Sequence, residues 1–119
     1  MATLSVQDTS EVGAALTYSN AAGGGDDFVN ASDRIVLHVK NGSASPINVT
    51  IAAQTVAASV PGLGIVSKAN QVVAVPAGGD RIIGPFPARA FNNPSTSKVS
   101  VSYSATTTVT VAAFRVPAL

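Results

Sequence analysis

The sequence contains no cysteine and no tryptophan. Without thiols there are neither disulfides nor thiolate metal sites, so packing, hydrogen bonds or a partner must hold the fold. Charge is scarce as well: only 11% of residues are Asp, Glu, Lys or Arg, against roughly 25% in an ordinary soluble domain. Seven basic and six acidic side chains leave a formal net charge of +1. A surface so poor in charge repels its neighbours weakly and favours association. The basic residues are scattered singly, which gives nucleic acid no electrostatic footprint, and no nucleic-acid partner is expected. No apolar run approaches the roughly 20 residues needed to span a bilayer, and the N-terminus lacks the basic start and apolar core of a signal peptide. No membrane partner is expected either. Three Asn-x-Ser/Thr sequons, at Asn30, Asn41 and Asn48, stand without a secretion signal and are read as chance matches to a short motif.

Reactive chemistry is equally thin. The one histidine, His38, cannot form a two-histidine metal site, and no motif supplies it with the partners of a catalytic triad. Nucleophile-elbow, zinc-protease and phosphate-loop patterns are all missing. The acids are Asp8, Glu11, Asp26, Asp27, Asp33 and Asp80. Nothing marks two of them as the facing carboxylates of a glycosidase. Asp26, Asp27 and Asp33 follow no calcium-loop spacing and read as turn and cap residues. Gly62-Leu63-Gly64 lacks the third glycine of a dinucleotide fingerprint. The aromatics are Tyr18, Phe28, Phe86, Phe91, Tyr103 and Phe114. Without tryptophan they make a poor stacking platform, and the phenylalanines are expected in the core. These readings exclude most enzymes. No catalytic residue, cofactor or metal ligand is assigned.

What is present is Val, Ile and Thr in short alternating runs, the residues that suit a pleated surface. Helical periodicity is almost absent. Arg34–Lys40 is the clearest strand, with Ile35, Leu37 and Val39 on one face. Asn41-Gly42-Ser43 carries the Asn-Gly signal of a tight hairpin. Ile47–Ala52 alternates again, so residues 34–52 are expected to form a hairpin with Ile47, Val49 and Ile51 on the same core. Further strands are expected at residues 54–60, Gln71–Val75, Arg81–Gly84, Lys98–Tyr103 and Thr106–Val116, the last two joined as a hairpin. This is the pattern of one all-β domain: an antiparallel β-sandwich of about seven or eight strands, with jelly-roll and immunoglobulin-like orders both open. Residues 1–27 read differently. Leu4–Val6 is expected to be an arm or edge strand, Val12–Tyr18 a first strand or a helical turn, and Gly23-Gly24-Gly25 a flexible joint. The division is therefore an arm over 1–27 and the sandwich over 28–119.

Gly78-Gly79-Asp80-Arg81-Ile82-Ile83-Gly84-Pro85-Phe86-Pro87 concentrates turn chemistry around a single aromatic ring. Proline cannot donate to a sheet ladder, so Pro85 and Pro87 end the strand before them. Phe86 is held on an extended backbone because a proline follows it. Two readings remain open: a corner anchored by Phe86 and Phe91, or an exposed loop, Pro85–Pro94, that docks a partner.

Several stretches together carry a resemblance. Leu37-His38-Val39-Lys40-Asn41-Gly42, Val49-Thr50-Ile51-Ala52-Ala53-Gln54, Val75-Pro76-Ala77-Gly78-Gly79, Gly84-Pro85-Phe86-Pro87, Phe91-Asn92 and Val109-Thr110-Val111-Ala112-Ala113 resemble a group of small virion proteins of tailed bacteriophages. The likeness runs over residues 28–116. It implies a capsid decoration, or cement, protein: a virion component made in the host cytoplasm that binds the outer surface of the expanded head. Its partners would be the major capsid protein and itself, with a trimer expected in preference to a monomer. The residues expected at capsid or subunit contacts are Leu4 and Val6 in the arm, with Phe86, Arg89 and Phe91 in the proline-flanked loop. The competing class is a tail, fibre or baseplate module that binds a host-surface glycan or protein.

Overall fold

The structure, a computed structural model, describes residues 2–32, 34–54, 58–66 and 69–116. In chain order the strands are β1 (Ala2–Leu4), β2 (Val6–Asp8), β3 (Ser19–Asn20), β4 (Asp26–Val29), β5 (Ile35–Asn41), β6 (Ile47–Ile51), β7 (Ala58–Val60), β8 (Gly64–Val66), β9 (Gln71–Val75), β10 (Asp80–Ile83), β11 (Lys98–Tyr103) and β12 (Val109–Arg115). One helical turn, α1 (Ala88–Phe91), lies between β10 and β11. The chain is predominantly β, in two mixed sheets of five strands. The first sheet runs β1-β4-β11-β6-β9. The second runs β10-β5-β12, and β3 and β2 share the far edge of β12. β7 and β8 form a separate small hairpin.

Alternation decides which side chains are buried. Ile35, Leu37 and Val39 of β5 are at most 2% exposed, while Val36, His38 and Lys40 point the other way. β12 adds Val109, Val111 and Ala113 from the same sheet. The first sheet contributes Phe28, Ile47, Val49, Ile51, Val99 and Val101, and all of these belong to one apolar cluster. Burying a side chain of this kind stabilises by about 1.5–3 kcal/mol.

Both expected hairpins are instead crossings between sheets. β5 pairs with β10 and β12, whereas β6 pairs with β11 and β9. β11 and β12 likewise lie in different sheets. Alternation reports which face of a strand is buried, and two strands on opposite walls of one core satisfy it as well as two neighbours. The local reason is at Asn41-Gly42. A type I′ turn needs positive φ at both central residues, and neither residue takes it. The Asn41 side chain serves the crossing instead. It is 1% exposed. Its Nδ2 faces the carbonyl oxygens of Ser45, Val75 and Pro76 at 2.8, 3.3 and 3.2 Å. Its Oδ1 accepts from the Ser43 backbone N–H and hydroxyl.

The N-terminal residues are not an arm. β1 pairs parallel with β4, setting Leu4 beside Phe28, and Leu4 is 7% exposed within the core. Ser5 then carries the chain to the other sheet, where β2 pairs parallel with β12, Val6 beside Ala113. These parallel pairs make the sheets mixed rather than antiparallel. They join segments remote in sequence, which no turn motif announces. The glycine run is also built in: Gly25 has φ +92, and a Cβ there would stand 2.6 Å from the Val101 carbonyl oxygen. Because β4 begins at Asp26, a division after residue 27 would cut a strand.

The strand count exceeds seven or eight because β1, β2, β3, β7 and β8 are two or three residues long, too short for alternation to register. Val12–Tyr18 forms neither strand nor helix, and β3 begins only at Ser19. Of the strand expected at 54–60, β7 covers Ala58–Val60, while residues 55–57 lie outside the described residues, as does Asp33.

Candidate functional site

At one flank the two sheets part. β9 ends the first sheet, β10 ends the second, and the two lie beside one another. Register places Gln71 and Val73 opposite the buried Ile51 and Val49, so both turn inward. Arg81 and Ile83 do the same opposite Val39 and Leu37. Between these edges lies a cleft of about 330 Å³, floored by Phe86 and Phe91. Its outer lips carry apolar side chains too: Val72 is 53% exposed and Ile82 63%.

The floor is rigid. Phe86 packs against Phe28 with ring centroids 5.6 Å apart and edge-on to Phe91 at 5.8 Å, the tilted arrangements aromatic pairs favour. Asn30 Nδ2 donates to the Phe86 carbonyl at 3.0 Å and to Asn92 Oδ1 at 2.7 Å. Asn92 Nδ2 donates back to the Asn30 carbonyl at 2.9 Å. Gln54 N–H donates to the Ala90 carbonyl at 2.8 Å, tying α1 to the chain after β6.

The residues expected at contacts divide accordingly. Leu4, Phe86 and Phe91 are 7%, 3% and 6% exposed. Their surfaces are spent on the core, and none stands out as a knob for a partner. Val6 is half-buried against that core, and Arg89 is exposed on α1. Only Phe86 and Phe91 reach the cleft. Val72, Val73, Ile82 and Ile83 were missed because alternation alone cannot show that a strand lies at an edge.

A second cluster was also hidden from sequence. Tyr18 Oη lies 2.7 Å from His38 Nδ1, and His38 Nε2 lies 2.6 Å from Asp80 Oδ2. The Lys40 ammonium sits 4.0 Å from the Tyr18 ring centroid. No spacing announces the set, because it joins a loop, β5 and β10. The hydrogen bond from His38 holds Asp80 below the usual carboxylate range, and the charge of His38 adds to this; desolvation acts the other way. None of Tyr18, His38, Lys40 and Asp80 lines the cleft between β9 and β10. It works as a latch: with Gln7, whose side chain bonds both N–H and carbonyl of Thr17 at 2.8 Å, it ties Thr17 and Tyr18 to the second sheet. Tyr18→Phe is expected to lower stability by about 1 kcal/mol in urea unfolding. Because the folded value of Asp80 is depressed, its contribution is complete above the ordinary carboxylate range and disappears as pH falls through the lower folded value. The stability lost in Asp80→Asn should therefore shrink only in strong acid. An unchanged difference at all pH values would rule out the coupling.

Asp26 is fully buried and accepts from the Tyr103 hydroxyl at 2.7 Å; its Oδ1 has no partner. Burial, then the hydrogen bond and charge of Asp26, push the Tyr103 phenol above its ordinary range. Asp27 turns to the other face and accepts from the Thr3 hydroxyl at 2.6 Å, so neighbouring carboxylates on β4 do not converge on an ion. Among the described residues no three His, Cys, Asp or Glu side chains gather as a metal site.

No family model, no curated protein and no solved structure matches the chain.

Proposed function

We propose that the protein is a head decoration protein of a tailed bacteriophage, bound to the outer surface of the expanded shell and acting as a cement. Its partners in this reading are the major capsid protein and further copies of itself. The observation that carries it is the cleft between β9 and β10: a preformed apolar recess with a rigid floor and exposed apolar lips. Its chemistry suits another protein better than a small polar substrate. The resemblance of residues 28–116 to phage virion proteins supports the same reading, as does the low charge. Modest contacts repeated over a shell would stabilise it by avidity.

The fold proposed is a jelly-roll sandwich. Counting β4 to β11 as eight strands, the first sheet holds the first, eighth, third and sixth in order. In the second sheet the second and seventh are neighbours, while the fourth and fifth pair only with each other, as the separate small hairpin. That alternation between walls is the jelly-roll path, with β12 added beside β5 and β1–β3 closing the edges. The test of function is sedimentation with expanded capsids stripped of small surface proteins, where saturable binding at a fixed ratio to the major capsid protein is expected.

A further inference from the structure

The open edges of the molecule are not equivalent. A sheet edge displays unpaired N–H and C=O groups, and soluble proteins guard such edges with short strands, charges or prolines. On one flank the edge strands are β1, β2 and β3, of three, three and two residues. On the other, β9 is five residues long and reads Gln-Val-Val-Ala-Val, with neither charge nor proline. Among the described residues no strand pairs with the outer edge of β9, and this edge is also the one beside the cleft.

We propose that this edge receives an extended segment of the capsid protein as an added strand; the inference rests on the decoration reading. Backbone pairing to β9 would continue the first sheet. Every second side chain of the incoming strand would then point inward, as Gln71 and Val73 do, and enter the cleft over Ile83, Phe86 and Phe91. This is the logic of strand addition, in which main-chain bonds give affinity and alternate pockets give specificity. Its chemistry follows from the lining. The segment is extended, apolar at alternate positions, and carries an acidic residue beside Arg81. Arg81 lines the cleft, and among the described residues it has no ion pair: its Nη1 donates to the Asp80 backbone carbonyl, while the Asp80 carboxylate is held by His38. The chain's own N-terminal strands do not supply the segment, because β1 and β2 are already paired.

The test uses the full chain and stripped expanded capsids. A photo-reactive benzoylphenylalanine replaces Val72, and in a control chain Val12, which is 91% exposed. A double variant, Val72→Lys with Ala74→Lys, places charge on the edge without touching the core. The expected result is a cross-link from position 72 to one stretch of the major capsid protein with alternating apolar residues. The double variant should bind capsids at least about ten-fold more weakly with an unchanged melting temperature. Capsid binding at full affinity by the double variant, with no cross-link from position 72, would overturn strand addition and leave decoration standing. Cross-linking from position 72 to a second copy would overturn it in favour of self-pairing. Failure of the unmodified chain to bind capsids would remove the decoration reading and the inference together.

Discussion

Asn41→Asp is expected to lower stability by about 3–5 kcal/mol, the scale of leaving a charge buried without its partners. The substitution is nearly isosteric, so packing does not account for the loss. The amide Nδ2 faces three carbonyl oxygens, from Ser45, Val75 and Pro76. A carboxylate would set negative charge against all three, at a position 1% exposed. Asn41→Ala removes the donor without adding charge, and should lose about 2 kcal/mol from the groups left unpaired. The order matters more than either value: Asp worse than Ala identifies the amide donor as the element that holds the crossing from β5 to β6. Urea unfolding of the variants measures it. If Asp were tolerated better than Ala, the hydrogen bonds assigned to Asn41 would be wrong.

The second large effect is at Gly25. Alanine there must adopt φ near +92 and place its Cβ 2.6 Å from the Val101 carbonyl oxygen. Backbone strain and the clash each cost on the order of 1–3 kcal/mol, so Gly25→Ala should lose about 3 kcal/mol. Gly23 is the internal comparison. A Cβ at Gly23 meets nothing within 4 Å, and Gly23→Ala should fall within about 0.5 kcal/mol of the parent. A flexible joint would tolerate both substitutions alike. Thermal unfolding of the pair decides between joint and close contact, and equal melting temperatures would return the segment to the status of a linker.

These residues show what the sequence makes legible. The alternation in Ile35-Val36-Leu37-His38-Val39 identifies the strand, its buried face and an all-β chain without ambiguity. It does not tell which sheet the strand joins, because Val49 and Val111 bury their side chains in the same cluster from opposite walls. Asn41-Gly42 carries a hairpin signal that the structure overrides, since the asparagine side chain has tertiary partners unavailable to an isolated turn. The N-terminal strands were obscured for a related reason. Three residues cannot display a period, and the partners of Leu4 and Val6, Phe28 and Ala113, are remote in sequence. The cleft depends on both kinds of non-local information. Its walls are readable as strands, but that β9 and β10 end their sheets side by side is a property of the topology. The Tyr18–His38–Asp80 latch was hidden in the same way, because only sheet pairing brings Asp80 beside Lys40 and next to His38.

The measurement that bears most directly on the proposed decoration role is binding of the purified chain to expanded tailed-phage capsids from which small surface proteins have been stripped. Decoration predicts that the chain sediments with the shells, saturates at a fixed ratio to the major capsid protein, and raises the temperature at which the shells open. Intact capsids that leave the chain in the supernatant at every concentration would contradict it, and binding to host-surface glycan instead would move the protein to the tail.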